Sequence, residues 1–161
     1  TNYSYNGAFM SNIVASPVIC KDSVLAATSE SKMVLIDATS GITIWEKDIG
    51  TTKTPAVHGD WAFILTTDNT MICTSMQDGS IKWINDIKVN NFKANKWSAP
   101  LLINGDIVSI SDQGDMLYLD AFSGVLKRKI IIEKMKNAKT PIIVKGKMFV
   151  ISENGKLYCI G

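Results

Sequence analysis

The sequence predicts an all-β protein, built as β-propeller blades of four antiparallel strands and about four blades in number. Three observations carry that prediction: four prolines opening four similar segments, glycines at a constant distance downstream, and third strands that are apolar on both faces. Self-similarity at a period near 40 residues is the mark of a repeat architecture, in which each unit buries its faces against its neighbours.

The first strand of each repeat begins at Pro17, Pro55, Pro100 or Pro141, which are all the prolines in the chain. Each follows a small residue (Ser16, Thr54, Ala99, Thr140) and opens an apolar run: PVIC, PAVH, PLLI and PIIV. Proline is tolerated at a strand start because its missing N–H removes no ladder bond there. Turn chemistry follows each run, at Lys21-Asp22, Gly59-Asp60, Asn104-Gly105 and Lys145-Gly146, and predicts a tight hairpin into the second strand. Eleven residues after the prolines stand Thr28, Thr66, Ser111 and Ser152, and sixteen after them Met33, Met71, Met116 and Leu157. In the first blade the four strands are expected near residues 15–20, 23–28, 32–37 and 42–47.

The third strand is apolar in both alternating sets, with Met33 and Leu35 on one face and Val34 and Ile36 on the other. A sheet covered on both sides fits radial stacking better than a sandwich with one wet face. Counting 24 residues from the first three prolines lands on Gly41, Gly79 and Gly124, in TSG, QDG and FSG. Glycine there suits a turn needing positive φ between the third and fourth strands. Four residues further stand Trp45, Trp83 and, breaking the pattern, Arg128. An indole on the outermost strand is expected to cover the gap between blades. Insertions fall between this position and the next proline, which marks the inter-repeat loops. The whole chain, 1–161, is thus read as one partial propeller with blades at about 14–50, 51–93, 97–134 and 138–161, and 1–13 as a linker or closing strand.

Composition narrows the function. A net charge of +2 with 46% hydrophobic and 20% charged residues is globular and gives no nucleic-acid footprint. No run reaches the roughly 18–20 apolar residues that a membrane-spanning helix needs, and a start at Thr1 suggests a processed or trimmed chain. Cys20, Cys73 and Cys159 are odd in number and far apart, so neither a metal site nor a disulfide framework is expected. His58, the only histidine, ends a first strand and reads as structural; Asp37 and Asp120, four before their glycines, read as turn-capping groups. No nucleophile–base–orienter set and no cofactor motif emerges.

The segments MVLIDATSGITIW and MICTSMQDGSIKW resemble the blade of the pyrroloquinoline-quinone-type propeller superfamily. Within it, the blade order is similar to the C-terminal half of the BamB-like family of outer-membrane assembly lipoproteins. In that family the last complete repeat also lacks its tryptophan, as at Arg128, and the chain ends after the third strand of the final blade, as in GKMFVISENGKLYCIG. The resemblance implies half of an eight-bladed ring, completed by the missing half or by a second copy. A half ring would expose the apolar faces of its first and last blades. A closed four-bladed ring is the alternative arrangement.

The same resemblance implies a protein-binding scaffold with no catalysis, no cofactor and no nucleic-acid partner. It places the protein on the periplasmic side of the bacterial outer membrane, held there only by a lipid anchor outside this chain, and gives as partner the periplasmic domains of the central barrel-assembly protein. The family's acidic contact pair falls on Asn12 and Val14, so both carboxylates are absent. The longest lead-in loop, Val89 to Ser98, adds Phe92, Lys93, Lys96 and Trp97 as contact candidates, because an exposed aromatic beside lysines is a common interface anchor. Two other readings of the superfamily are a fragment of a quinone-dependent dehydrogenase and a ligand-sensing propeller domain of a receptor. The absence of adjacent cysteines argues against the first.

Overall fold

The structure, a computed structural model, describes residues 13–90, 94, 96–133 and 135–160. Three four-stranded sheets and one three-stranded sheet follow one another along the chain, and each is an antiparallel meander in sequence order. Blade 1 contains β1 (Val18–Cys20), β2 (Ser23–Ala27), β3 (Met33–Asp37) and β4 (Thr43–Lys47). Blade 2 contains β5 (Ala56–His58), β6 (Trp61–Leu65), β7 (Thr70–Ser75) and β8 (Ile81–Asp86). Blade 3 contains β9 (Leu101–Ile103), β10 (Asp106–Ile110), β11 (Asp115–Asp120) and β12 (Leu126–Ile131). Blade 4 contains β13 (Ile142–Val144), β14 (Lys147–Ile151) and β15 (Leu157–Ile160). One 3-10 turn, Ile87–Asn90, begins the long loop after blade 2.

First strands are shorter than the sequence suggests, because pairing starts one residue after each of Pro17, Pro55, Pro100 and Pro141, where an N–H first becomes available. The recurring hydroxyl residue eleven after the proline closes the turn between second and third strands. The amide of residue 32 donates to Thr28 Oγ1 at 3.1 Å, that of Thr70 to Thr66 Oγ1 at 3.0 Å, and that of Asp115 to Ser111 Oγ at 2.9 Å. In blade 4, Ser152 Oγ donates to the carbonyl of Lys156 at 3.2 Å. The third–fourth strand pair carries a register shift at equivalent places, Leu35/Ile36, Cys73/Thr74 and Tyr118/Leu119, which increases local twist.

Alternation along each strand sends neighbouring side chains to opposite faces, and in blades 2 and 3 both faces find a partner. Leu25, Met33 and Leu35 of blade 1 pack with Ala62, Ile64 and Ile72 of blade 2. The other face of blade 2, with Phe63, Leu65, Met71 and Cys73, packs with Ile107, Leu117 and Leu119 of blade 3. Blade 3 then turns Val108, Ile110, Met116 and Tyr118 to Met148 and Val150 of blade 4.

The fourth blade breaks the series. Forty-one residues beyond Ile110 and Met116, which are 1% and 0% exposed, stand Ile151 and Leu157 at 52% and 64%. Ile142 and Val144, which share their face, are exposed as well. Blade 4 therefore presents an uncovered stacking face. Blade 1 differs from the expectation of two bare ends: Ile19 is open, but Ala26 and Val34 on the same face are buried.

Candidate protein-docking rim

At one edge of the stack lie the turns between third and fourth strands, and their acidic residues are engaged within the turns. Asp37 Oδ1 accepts from the amides of Thr39 and Ser40 and from the Ser40 hydroxyl at 3.1, 2.7 and 2.7 Å. Asp120 repeats this with Phe122 and Ser123 at 3.1, 2.8 and 2.9 Å. Both carboxyls are held below the usual range, chiefly by the serine amides. Asp78 is pushed down to about 2, first by the Ser80 amide, then by the hydroxyls of Ser80 and Ser75. Donors to the ionised form favour it. These acids serve the turns, as the spacing of Asp37 and Asp120 predicts.

The glycine and tryptophan of successive blades form one joint. Trp45 Nε1 donates to the carbonyl of Met76 at 3.0 Å, and Trp83 Nε1 to that of Ala121 at 3.0 Å. Each acceptor lies three residues before the next blade's glycine. A methyl on Gly79 would come within 3.0 Å of the Trp45 ring, and one on Gly124 within 2.5 Å of the Trp83 ring. Arg128, in the tryptophan position of blade 3, stacks instead over Tyr118, 3.8 Å from the ring centroid. Sequence spacing reveals the glycine and the tryptophan separately; their contact across blades needed the structure.

The opposite edge holds the loops that lead into first strands and those between second and third strands. Backbone bonds stitch them together: Thr51 N to Thr28 O at 2.9 Å, Thr67 N to Gly50 O at 3.1 Å, Asp112 N to Lys96 O at 2.9 Å and Asn137 N to Asp112 O at 2.8 Å. Glu153 N reaches Lys136 O at 3.3 Å. The rim is therefore held in place by backbone geometry, and its side chains are the variable part.

Of the predicted contact residues, Asn12, Phe92 and Lys93 lie outside the described residues. Val14 is 62% exposed, and Lys96 is exposed on the rim. Trp97 corrects the expectation of an exposed aromatic. It is 3% exposed and packed with Phe63, Trp83 and Ile87, and its backbone bridges to Ser111. The indole fills the space between blades 2 and 3 that the long loop spans, so hydrophobic burial takes the side chain out of reach of a partner. A hollow of about 460 Å³ beside it, which sequence reasoning did not foresee, draws residues from three blades.

The axial side of the stack forms a second hollow of about 470 Å³ between first strands, lined by Pro55, Val57, His58, Pro100, Leu101 and Ile143. His58 closes the hairpin against Trp61. Among the described residues, no group of three or more His, Cys, Asp or Glu side chains converges as a metal site would, and no helix is long and apolar enough to cross a membrane.

The repeat, its joints and the rim can be set against known proteins. Residues 1–85 match the family model described as outer membrane protein assembly factor BamB. The chain belongs to the BamB family. The BamB of Salmonella typhimurium is 19% identical over 94% of this chain and 38% of its own length. This chain therefore spans well under half of the curated relatives it matches. The crystal structure of BamB from Moraxella catarrhalis superposes with a TM-score of 0.79 at 18% identity, over 91% of this chain and 44% of that one. The quinohemoprotein alcohol dehydrogenase of Comamonas testosteroni follows at 0.61 and 16%, over 75% and 21%. At such identities the likeness to solved structures concerns the fold.

Proposed function

We propose that this chain is a non-catalytic, protein-binding scaffold in the outer-membrane β-barrel assembly machinery, on the periplasmic side, and that it docks through its lead-in rim. The observation that carries the reading is the use of the repeated polar residues. Thr28, Thr66 and Ser111 close turns, Asp37 and Asp120 cap turns, and Trp45 and Trp83 join blades. Residues spent this way hold the frame, and recognition falls to the loops that differ between blades. The partner is the periplasmic domains of the central barrel protein, with Val14 and Lys96 at the contact.

Calorimetric titration of the full chain with those domains tests the proposal. The reading expects saturable binding that Lys96→Glu weakens about tenfold, since like charge at an interface is costly, while Thr39→Glu at the opposite edge leaves it unchanged. Equal effects of the two substitutions would refute the rim as the docking face.

A further inference from the structure

We infer that the rim hollow between blades 2, 3 and 4 receives an extended acidic protein segment, with Lys53, Lys96 and Lys139 binding its carboxylates. The inference rests on the scaffold reading for its setting and stands on three features of the hollow itself.

The first is shape. Lys53 from the lead-in of blade 2, Lys96 and Asp112 from blade 3, and Asn137, Lys139 and Glu153 from blade 4 surround about 460 Å³. Trp97 and Ile110, 3% and 1% exposed, form its base. The stitches Asp112 N to Lys96 O and Asn137 N to Asp112 O tie the walls together, so binding there orders little backbone.

The second is uncompensated charge. Four lysines elsewhere sit beside acids, Lys21 with Asp60, Lys32 with Glu46 and Asp48, Lys127 with Asp106, and Lys129 with Asp115; what distinguishes the hollow is that three unpaired lysines line one concavity. Among the described residues Lys53, Lys96 and Lys139 join no ion pair. Of the two acids in the hollow, Glu153 accepts from the Asn137 side chain.

The third is an acceptor without a donor. Asp112 Oδ1 is shielded from solvent and has no hydrogen-bond partner among the described residues. Buried acceptors are normally satisfied, and a small rotation of this side chain toward the hollow would meet an N–H brought by a bound chain. A protein segment offers both chemistries at once, carboxylates for the lysines and amides for Asp112. A dense phosphate surface brings only negative charge and meets Asp112 and Glu153 with repulsion.

The test titrates the full chain with a fluorescein-labelled decapeptide of alternating Glu and Ser, its Gln-Ser counterpart, and phosphatidylglycerol vesicles. The Glu peptide should bind with an affinity that falls as salt rises, and the Gln peptide should not bind. Lys53→Ala, Lys96→Ala and Lys139→Ala should each weaken binding about two- to fivefold, the range for exposed ion pairs, and the triple variant on the order of tenfold or more. An unchanged thermal transition of each variant keeps folding out of the comparison. Undiminished binding by the triple variant overturns the inference. So does equal binding of the Gln peptide, or lysine-dependent binding of vesicles without binding of the Glu peptide.

A parallel titration with the central barrel protein's periplasmic domains separates the two readings. If the triple variant retains that binding, the scaffold reading stands without the hollow as its contact, and the peptide titration decides on the inference. If the unmodified chain fails to bind those domains, the scaffold reading falls, and the peptide titration still decides on the hollow.

Discussion

Alanine at Gly41, Gly79 and Gly124 turns the blade joint into a measurement, because all three share the same backbone strain and differ in what stands beside them. Their φ angles are 72°, 68° and 73°. An L residue in that region costs about 1–2 kcal/mol, partly offset by about 0.4–1 kcal/mol from the stiffer unfolded chain. Gly41→Ala, with nothing within 4 Å of the new methyl, should therefore lose about 1 kcal/mol. At Gly124 the methyl would lie 2.5 Å from the Trp83 ring, well inside the roughly 3.5–4.0 Å of a favourable carbon contact. Displacing a packed indole adds about 1–3 kcal/mol and stretches the Trp83–Ala121 bond, itself worth about 1 kcal/mol. Gly124→Ala should thus fall about 2 kcal/mol below Gly41→Ala. Gly79→Ala should lie between them, because its nearest neighbour is the movable end of Lys47 at 2.7 Å. Equilibrium urea unfolding of the three variants reads the difference as a shift in midpoint at constant slope. In a Trp83→Leu background the excess loss at residue 124 should vanish. Equal losses at residues 41 and 124, or an excess that survives removal of the indole, would refute the joint.

Other expectations follow from the same geometry. Trp83→Ala should destabilise by about 3–5 kcal/mol, seen as a lower thermal midpoint; a loss below about 1 kcal/mol would mean that the indole does not bridge the blades. Asp78, whose folded pKa of about 2 lies below the ordinary aspartate value of 3.8, adds stability that is complete above pH 4 and is lost as pH falls toward 2. Asp78→Asn should flatten acid unfolding in that window, and an identical acid profile would contradict it. Cys159 is exposed, whereas Cys73 is buried and its thiol is pushed up to about 11 by desolvation. An aromatic disulfide reagent at pH 8 should therefore modify Cys159 in the native chain and Cys73 only after unfolding; early labelling of Cys73 would contradict the packing of blades 2 and 3. Paired Ile151→Lys and Leu157→Lys should reduce binding of an environment-sensitive apolar dye, because these side chains make up much of the bare face of blade 4; unchanged dye fluorescence would locate the accessible apolar surface elsewhere.

The sequence by itself determined the repeat and its strands. Pro17, Pro55, Pro100 and Pro141 mark strand starts, and Gly41, Gly79 and Gly124 mark turns, because local backbone chemistry admits few residues at those positions. Two-sided apolarity in β3, β7 and β11 announced stacking, since a sheet with two greasy faces requires two covers. Asp37 and Asp120 were legible as capping groups because their partners lie two and three residues away. What only the tertiary structure decided involves residues about 30 or more positions apart. Trp83 meets Ala121 and Gly124 across a blade boundary, and Lys53, Lys96 and Lys139 reach one hollow from three loops. Trp97 shows the limit most plainly: beside lysines in a long loop it reads as an exposed anchor, yet the space between two blades buries it. Local patterns report the torsions a residue can adopt, whereas burial depends on which distant surface folds over it.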